Sequence, residues 1–227
     1  MSDRALIGLA ALASASPATP QRPPATPSIV QGDLLLLPQM HLHDPWIVAD
    51  QASRTYYLFT RNEAAMTGDD RLGTMVYTSR DLRHWTRPRV VFTLPKGVWA
   101  NDGSWAPEVH RWRGKWYLFT SFANKDLKLP PNGKRPNYRR STVLAVSDRL
   151  EGPFRLVRDG EPVAPEDRMT LDGSLYVDKR GRPWMVYAHE WLQMTVGTME
   201  AVPLRDDLSA CAADRRGRRG RRLRGQC

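Results

Sequence analysis

Covalent staples and long apolar stretches are nearly absent from this chain. Its two cysteines, Cys211 and Cys227, both lie at the far C-terminal end, so the other residues can form no disulfide framework and offer no thiol nucleophile. No apolar run approaches the roughly 18 residues of a membrane-spanning helix, so no membrane partner is expected. No stretch keeps a helical period, which excludes a coiled coil. The formal charge of +10 suggests a nucleic-acid binder, but its location does not. Residues 210–227 contain seven Arg and one Asp and contribute +6; the remaining 209 residues carry only +4. A patterned region this close to neutral lacks the clustered cations that phosphate binding needs, so no nucleic-acid partner is expected. What the chain does have is eight Trp, 16 Gly and 18 Pro, a mixture suited to many short strands joined by turns.

The two ends differ from the middle. Arg4, the apolar Ala5–Ala13 and the small-residue triplet Ala13-Ser14-Ala15 resemble a secretory signal, and Ser16–Ser28 reads as a Pro-rich linker. Residues 1–28 are therefore assigned as a signal-like segment with its linker, and a secreted or periplasmic location is expected. Residues 210–227 turn abruptly into Arg/Gly/Ala low complexity and are expected to be a disordered tail. Two origins are open for it, a basic arm or an interrupted reading frame.

Residues 29–209 repeat. Three segments share one layout of strand-length pieces rich in Val, Tyr, Trp, Phe and Thr. The first runs from Asp44-PWIVAD through TYYLFTR (55–61) to GTMVYTSRDL (73–82). The second has WAPEVHRW (105–112), KWYLFTSF (115–122) and STVLAVSDRL (141–150). The third has LDGSLYVD (171–178), RPWMVYAHEW (182–191) and GTMEAVPLRDDL (197–208). Arg113-Gly114 and Lys179-Arg180-Gly181 sit where hairpin turns are needed. Asp81, Asp148 and Asp206 recur at strand ends as turn formers. Asp44, Glu108 and Asp172 head the three units at equal spacing. A repeat of this length is a propeller blade, and inner strands of separate blades line one axial funnel. The fold class expected is all-β, a partial propeller; a β-sandwich with scattered surface acids is the alternative.

Several motifs in order along the chain resemble glycoside hydrolase family 43. These are His43-Asp44-Pro45-Trp46, Trp105-Ala106-Pro107-Glu108-Val109, Trp116-Tyr117-Leu118-Phe119, Thr142–Asp148 with Glu151-Gly152-Pro153-Phe154, and Leu171-Asp172-Gly173-Ser174-Leu175. The resemblance implies a five-bladed β-propeller, of which this chain would hold about two and a half to three blades, truncated or frameshifted at its C-terminal side. It implies an inverting glycosidase acting on arabinose-, xylose- or galactose-containing polysaccharides, with no cofactor and no metal. By position, Asp44 matches the general base and Asp172 the residue that tunes the pKa of the acid. The family's acid, a Glu usually opening the fourth blade, has no counterpart here, since no Glu follows Glu200. Either the acid is lost with the missing blades, leaving an inactive fragment, or Glu190 serves, because antiparallel pairing returns it to the neighbourhood of Asp172.

Inversion needs a base and a protonated acid on opposite faces of the sugar, about 6.5–9.5 Å apart. Residues on different blades across a funnel can meet that spacing. Trp46, Trp105 and Trp191 are candidate sugar platforms, with packing between blades as the alternative for each. His43, Glu108 and His189 are candidate substrate-contacting residues, with structural roles as their alternatives. The competing function is a non-catalytic carbohydrate-binding propeller; in either case the partner is an oligo- or polysaccharide.

Overall fold

The computed structural model describes residues 34–130, 137–163 and 169–212. The signal-like segment and the Arg-rich part of the tail lie outside the described residues. Within them the chain is built from eleven strands. Blade 1 is the four-stranded antiparallel sheet β1 (Trp46–Asp50), β2 (Thr55–Arg61), β3 (Gly73–Ser79) and β4 (Arg89–Thr93), with one helical turn, α1 (Ala64–Thr67), between β2 and β3. Blade 2 follows as β5 (Asp102–Trp112), β6 (Lys115–Lys128), β7 (Tyr138–Ser147) and the short β8 (Arg155–Leu156). Blade 3 has three strands, β9 (Thr170–Val177), β10 (Pro183–His189) and β11 (Thr198–Pro203). A single parallel bridge, Ser141 to Thr170, ties β7 of blade 2 to the inner strand of blade 3.

The local chemistry explains these elements. Arg113 and Gly114 both adopt positive φ, at 46° and 82°, between the paired Trp112 and Lys115. That is the two-residue turn whose twist matches antiparallel strands. In β2, Tyr57 and Phe59 point to one face and Leu58 to the other, and all three are buried. The Tyr57 and Phe59 face packs with Val76 and Phe92 against Val109, Leu118, Phe122 and Phe154 of blade 2. Tyr117 and Phe119, on the opposite face of β6 from Leu118, join Met185, Tyr187 and Val202 of blade 3. Successive blades therefore share cores through strands that are apolar on both faces. The opposite face of blade 1 is covered by its own chain, with Leu35, Met40 and Trp85 lying over Leu58, Met75 and Tyr77.

The structure corrects one element of the repeat. Trp46 pairs with Phe59 and Glu108 pairs with Phe119, so Glu108 occupies the position of Trp46, not that of Asp44. The equivalent of Asp44 in blade 2 is Ala106. Asp44, Ala106 and Asp172 all adopt left-handed φ, at 50°, 42° and 53°. The residue before each of the first two is held alike: Thr60 Oγ1 donates to the His43 carbonyl at 2.7 Å, and Thr120 Oγ1 to the Trp105 carbonyl at 3.2 Å. Equal spacing of acids is a property of the sequence alone, whereas strand register is set by hydrogen bonding and side-chain burial, and register defines equivalence. At the C-terminal side, Leu204 bridges to Cys211 and Ala212 N–H donates to the Pro203 carbonyl at 2.8 Å. Backbone pairing among the described residues thus runs three residues beyond Ser209.

Candidate active site

Asp44 and Asp172 both leave the backbone from a left-handed residue at or near the start of an inner strand. That conformation is uncommon outside glycine and costs energy, so it is retained only where neighbours hold it. At Asp172 the hold is visible. Its N–H donates to Ser121 Oγ of β6 at 2.9 Å. Thr142 Oγ1 of β7 accepts from Gly173 N–H at 3.0 Å and donates to the Thr170 carbonyl at 2.8 Å. A Cβ at position 173 would meet Thr142 Cγ2 at 2.7 Å, so only glycine lets the two strands approach this closely. Asp44 is held from the neighbouring blade: Ala106 N–H donates to its Oδ2 at 3.3 Å, and His43 Nε2 lies 3.4 Å from the same oxygen. The Asp44 side chain is 49% exposed, so a water can reach it.

Asp172 lies within electrostatic reach of three other carboxyls, Asp44, Glu190 and Glu108. Asp172 binds its proton more tightly than an ordinary aspartate, chiefly because the surrounding wall displaces water, and then because Asp44, Glu190 and Glu108 repel its charge, in that order. The Asp172 side chain is nonetheless exposed to solvent, between the buried Leu171 and Gly173. Glu190 follows directly on β10, whose His189 pairs with Thr170, and its charge reaches Asp172. Glu108 is oriented by His110, whose Nε2 is 2.9 Å from Glu108 Oε2. The His110 ring lies against Trp46 and Phe119.

Other expected site residues take different places. Trp46 donates its Nε1–H to the Val109 carbonyl at 3.2 Å and packs into the seam between blades 1 and 2. Trp105 has the Arg140 guanidinium over its ring, 5.3 Å from the centroid. His189 has both ring nitrogens engaged within blade 3: Nδ1 is 3.0 Å from Glu200 Oε1, and Nε2 is 2.8 Å from Gln193 Oε1. It shapes the wall and presents no spare nitrogen to the funnel. Trp191 is half exposed and remains the most accessible of the three indoles. Among the described residues, no group of three or more His, Cys, Asp or Glu side chains has the arrangement to hold a metal ion. A cleft lined by Phe92, Lys96, Val98 and Phe154 occurs elsewhere and contains none of the four carboxyls.

Sequence reading overlooked Arg140. Its Nη1 donates to Glu190 Oε2 at 2.9 Å, and its Nη2 donates to the Tyr138 hydroxyl at 2.8 Å. An arginine opening a strand pattern was the available signal, but the Arg139-Arg140 pair reads like any basic strand end. Glu190, in turn, keeps company with a cation, whereas a group that protonates a leaving oxygen must carry a proton.

The geometry agrees with comparisons to known proteins. The Bacillus subtilis protein named extracellular endo-alpha-(1->5)-L-arabinanase 1 is 26% identical over 157 residues, covering 66% of this chain and 44% of its own length. The Cellvibrio japonicus protein named extracellular exo-alpha-(1->5)-L-arabinofuranosidase ArbA is 27% identical over 183 residues, covering 75% and 46%. This chain thus spans about half the length of these curated relatives. The crystal structure of an endo-arabinase from Bacteroides thetaiotaomicron VPI-5482 aligns with a TM-score of 0.65 at 33% identity, over 79% of this chain and 56% of that one. The native Bacillus subtilis arabinanase Arb43A aligns with a TM-score of 0.52 at 20% identity, a likeness of fold over 76% and 54%. The blades seen here thus match about half of the five-bladed propeller of such structures. The sequence profile of glycosyl hydrolases family 43 matches residues 37–216, most of the chain, and with the blades in agreement the chain belongs to glycosyl hydrolases family 43.

Proposed function

We propose that this chain carries the base-bearing part of an inverting glycoside hydrolase site for arabinose-containing polysaccharides, with xylose- and galactose-containing glycans in the same class. Asp44 is the general base. It is solvent-reached and held by Ala106 N–H, so it can take a proton from a water that attacks the anomeric carbon. Asp172 is the modulator, whose charge raises the proton affinity of a neighbouring acid, and Glu190 is the candidate for that acid. Trp191, and the part of Trp105 left uncovered by Arg140, offer flat apolar surface to the C–H face of a sugar, while Glu108 and His43 are placed to meet hydroxyls. The observation that supports this reading is that Asp44 and Asp172 leave separate blades from matching left-handed residues, with the charge of Asp44 reaching Asp172. The names of the arabinan-active relatives favour arabinose as the sugar. Their description as extracellular, with the signal-like residues 1–28, favours a secreted or periplasmic location.

One observation favours a second reading, a non-catalytic carbohydrate-binding propeller. Arg140 Nη1 lies 2.9 Å from Glu190 Oε2, so the candidate acid is already engaged by a cation. Replacing Asp44 separates the two. Under the leading reading, Asp44→Asn lowers turnover of aryl arabinofuranosides by about 100-fold or more and leaves calorimetric binding of an arabino-oligosaccharide largely intact. Oligosaccharide binding with no turnover by the unsubstituted chain supports the binding-module reading.

A further inference from the structure

We propose that Arg140 is a positioning residue: its guanidinium, lying over the rings of Trp105 and Tyr138, fixes where the Glu190 carboxylate rests. This deepens the reading of Glu190 given above and rests on it for its chemical consequence.

The argument starts from the alternation of β7. Arg139 and Arg140 are sequence neighbours on opposite faces of the strand. Arg139 lies over Trp99, 4.5 Å from the ring centroid, and is 3.5 Å from Glu161. Arg140 instead enters the funnel. Its guanidinium is 5.3 Å from the Trp105 centroid and 5.0 Å from the Tyr138 centroid. Nη2 is bound to the Tyr138 hydroxyl and Nη1 to Glu190, so two separate donors fix the plane of the group. Only a planar, forked cation can lie over two aromatic rings and still present a donor to a carboxylate.

Stability alone gives this arrangement little reason to exist. The Arg140 and Glu190 side chains are 18% and 13% exposed, and an ion pair so far removed from water is weak evidence for stability, because desolvation offsets attraction. Arg140 Nε, like Arg139 Nε, is buried without a hydrogen-bond partner. What separates the two is what they meet: Glu190 shares its surroundings with Asp172, whose like charge would push an unrestrained Glu190 away. Arg140, itself within electrostatic reach of Asp102 and Lys125, counters that repulsion and holds Glu190 in the funnel.

The test uses the full chain and two readouts. The first is the rate at which a carbodiimide and an amine label Glu190, followed by mass spectrometry, which needs no turnover. The second is kcat and KM on two arabinofuranosides, one with a dinitrophenyl leaving group that departs without a proton and one with an alkyl leaving group that needs one. Arg140→Met should raise Glu190 labelling several-fold. It should lower kcat on the alkyl substrate by about 10- to 100-fold, with a smaller loss on the dinitrophenyl substrate and little change in KM. Arg140→Lys, which keeps the charge but not the planar fork, should restore only a minor part of the protection. Arg139→Met, which removes equal charge from the other face, should leave labelling as it was. Labelling unchanged in Arg140→Met, or changed equally by Arg139→Met, overturns the proposal. If no variant turns over, labelling alone decides it. If Glu190→Gln loses activity equally on both leaving groups while Arg140→Met still exposes Glu190, the acid assignment fails and the positioning role stands.

Discussion

Blades 1 and 3 are built from similar strands and end up in different surroundings. The middle strand of blade 1 reads TYYLFTR and is buried on both faces; that of blade 3 reads PWMVYAH and is buried on alternate residues. One face of blade 3 meets blade 2 through Met185, Tyr187 and Val202. On or beside the other, Tyr176, Trp191, Val196 and Met199 are exposed, Val196 to 74% and Met199 to 69%. Blade 1 has no such open face, because the Leu35–Met40 segment and Trp85 cover it. An apolar strand therefore announces what it can bury, and only its neighbours decide what it does bury.

The largest way to sharpen this contrast is a cavity in the seam. Phe59 is fully buried between blades 1 and 2, and Phe59→Ala should cost about 3–5 kcal/mol, read as a lower midpoint in denaturant. A loss of the size seen for an exposed residue would show that the two blades do not share a core.

A second pair of substitutions compares two acids within blade 3. Burial would raise the proton affinity of Glu200, but hydrogen bonds from His189 and Tyr187, with the charge of His189 and the hydroxyl of Thr198, more than offset it and leave its pKa lowered. Its contribution to stability is therefore present above its ordinary value of 4.5 and is lost as pH falls through the folded-state value. Glu200→Gln should cost about 1–3 kcal/mol near neutrality and progressively less in acid. Asp172 has the opposite sign. Its raised pKa means that stability is full below the ordinary 3.8 and declines as pH rises through the folded-state value. Asp172→Asn should therefore melt at a higher temperature than the parent near neutrality, with the gain vanishing at low pH. A gain of equal size at every pH would argue that charge is not its cause.

The smallest effect is expected on the open face. Met199→Ser should change stability by no more than about 0.5 kcal/mol. A loss comparable to that of Phe59→Ala would mean that this face is covered in solution, and would erase the difference between the blades.

The same contrast marks what could be read in advance. The strand segments, the Arg113-Gly114 hairpin and the inner-strand places of Asp44 and Asp172 were legible, because period-two patterns and turn residues act over a few neighbours. The equivalence of Glu108 to Asp44 did not hold. Evenly spaced acids resembled a repeat, while the register put Ala106 in that position and gave it the task of donating its N–H to Asp44. Trp46 and Trp105 were legible as inner-strand aromatics, but their partners, the Val109 carbonyl and the Arg140 guanidinium, come from other strands.

The amino-acid order alone determined that this chain makes strands in three repeating groups and that two aspartates stand at matching points of the first and third. Local sterics and alternating polarity suffice for that. Only the tertiary structure decided that desolvation and the charges of Asp44, Glu190 and Glu108 make Asp172 hold its proton more tightly, and that Arg140 rather than Arg139 meets Glu190. Coulomb interaction and desolvation depend on distances through space, and spacing along a chain does not encode these until the blades have packed.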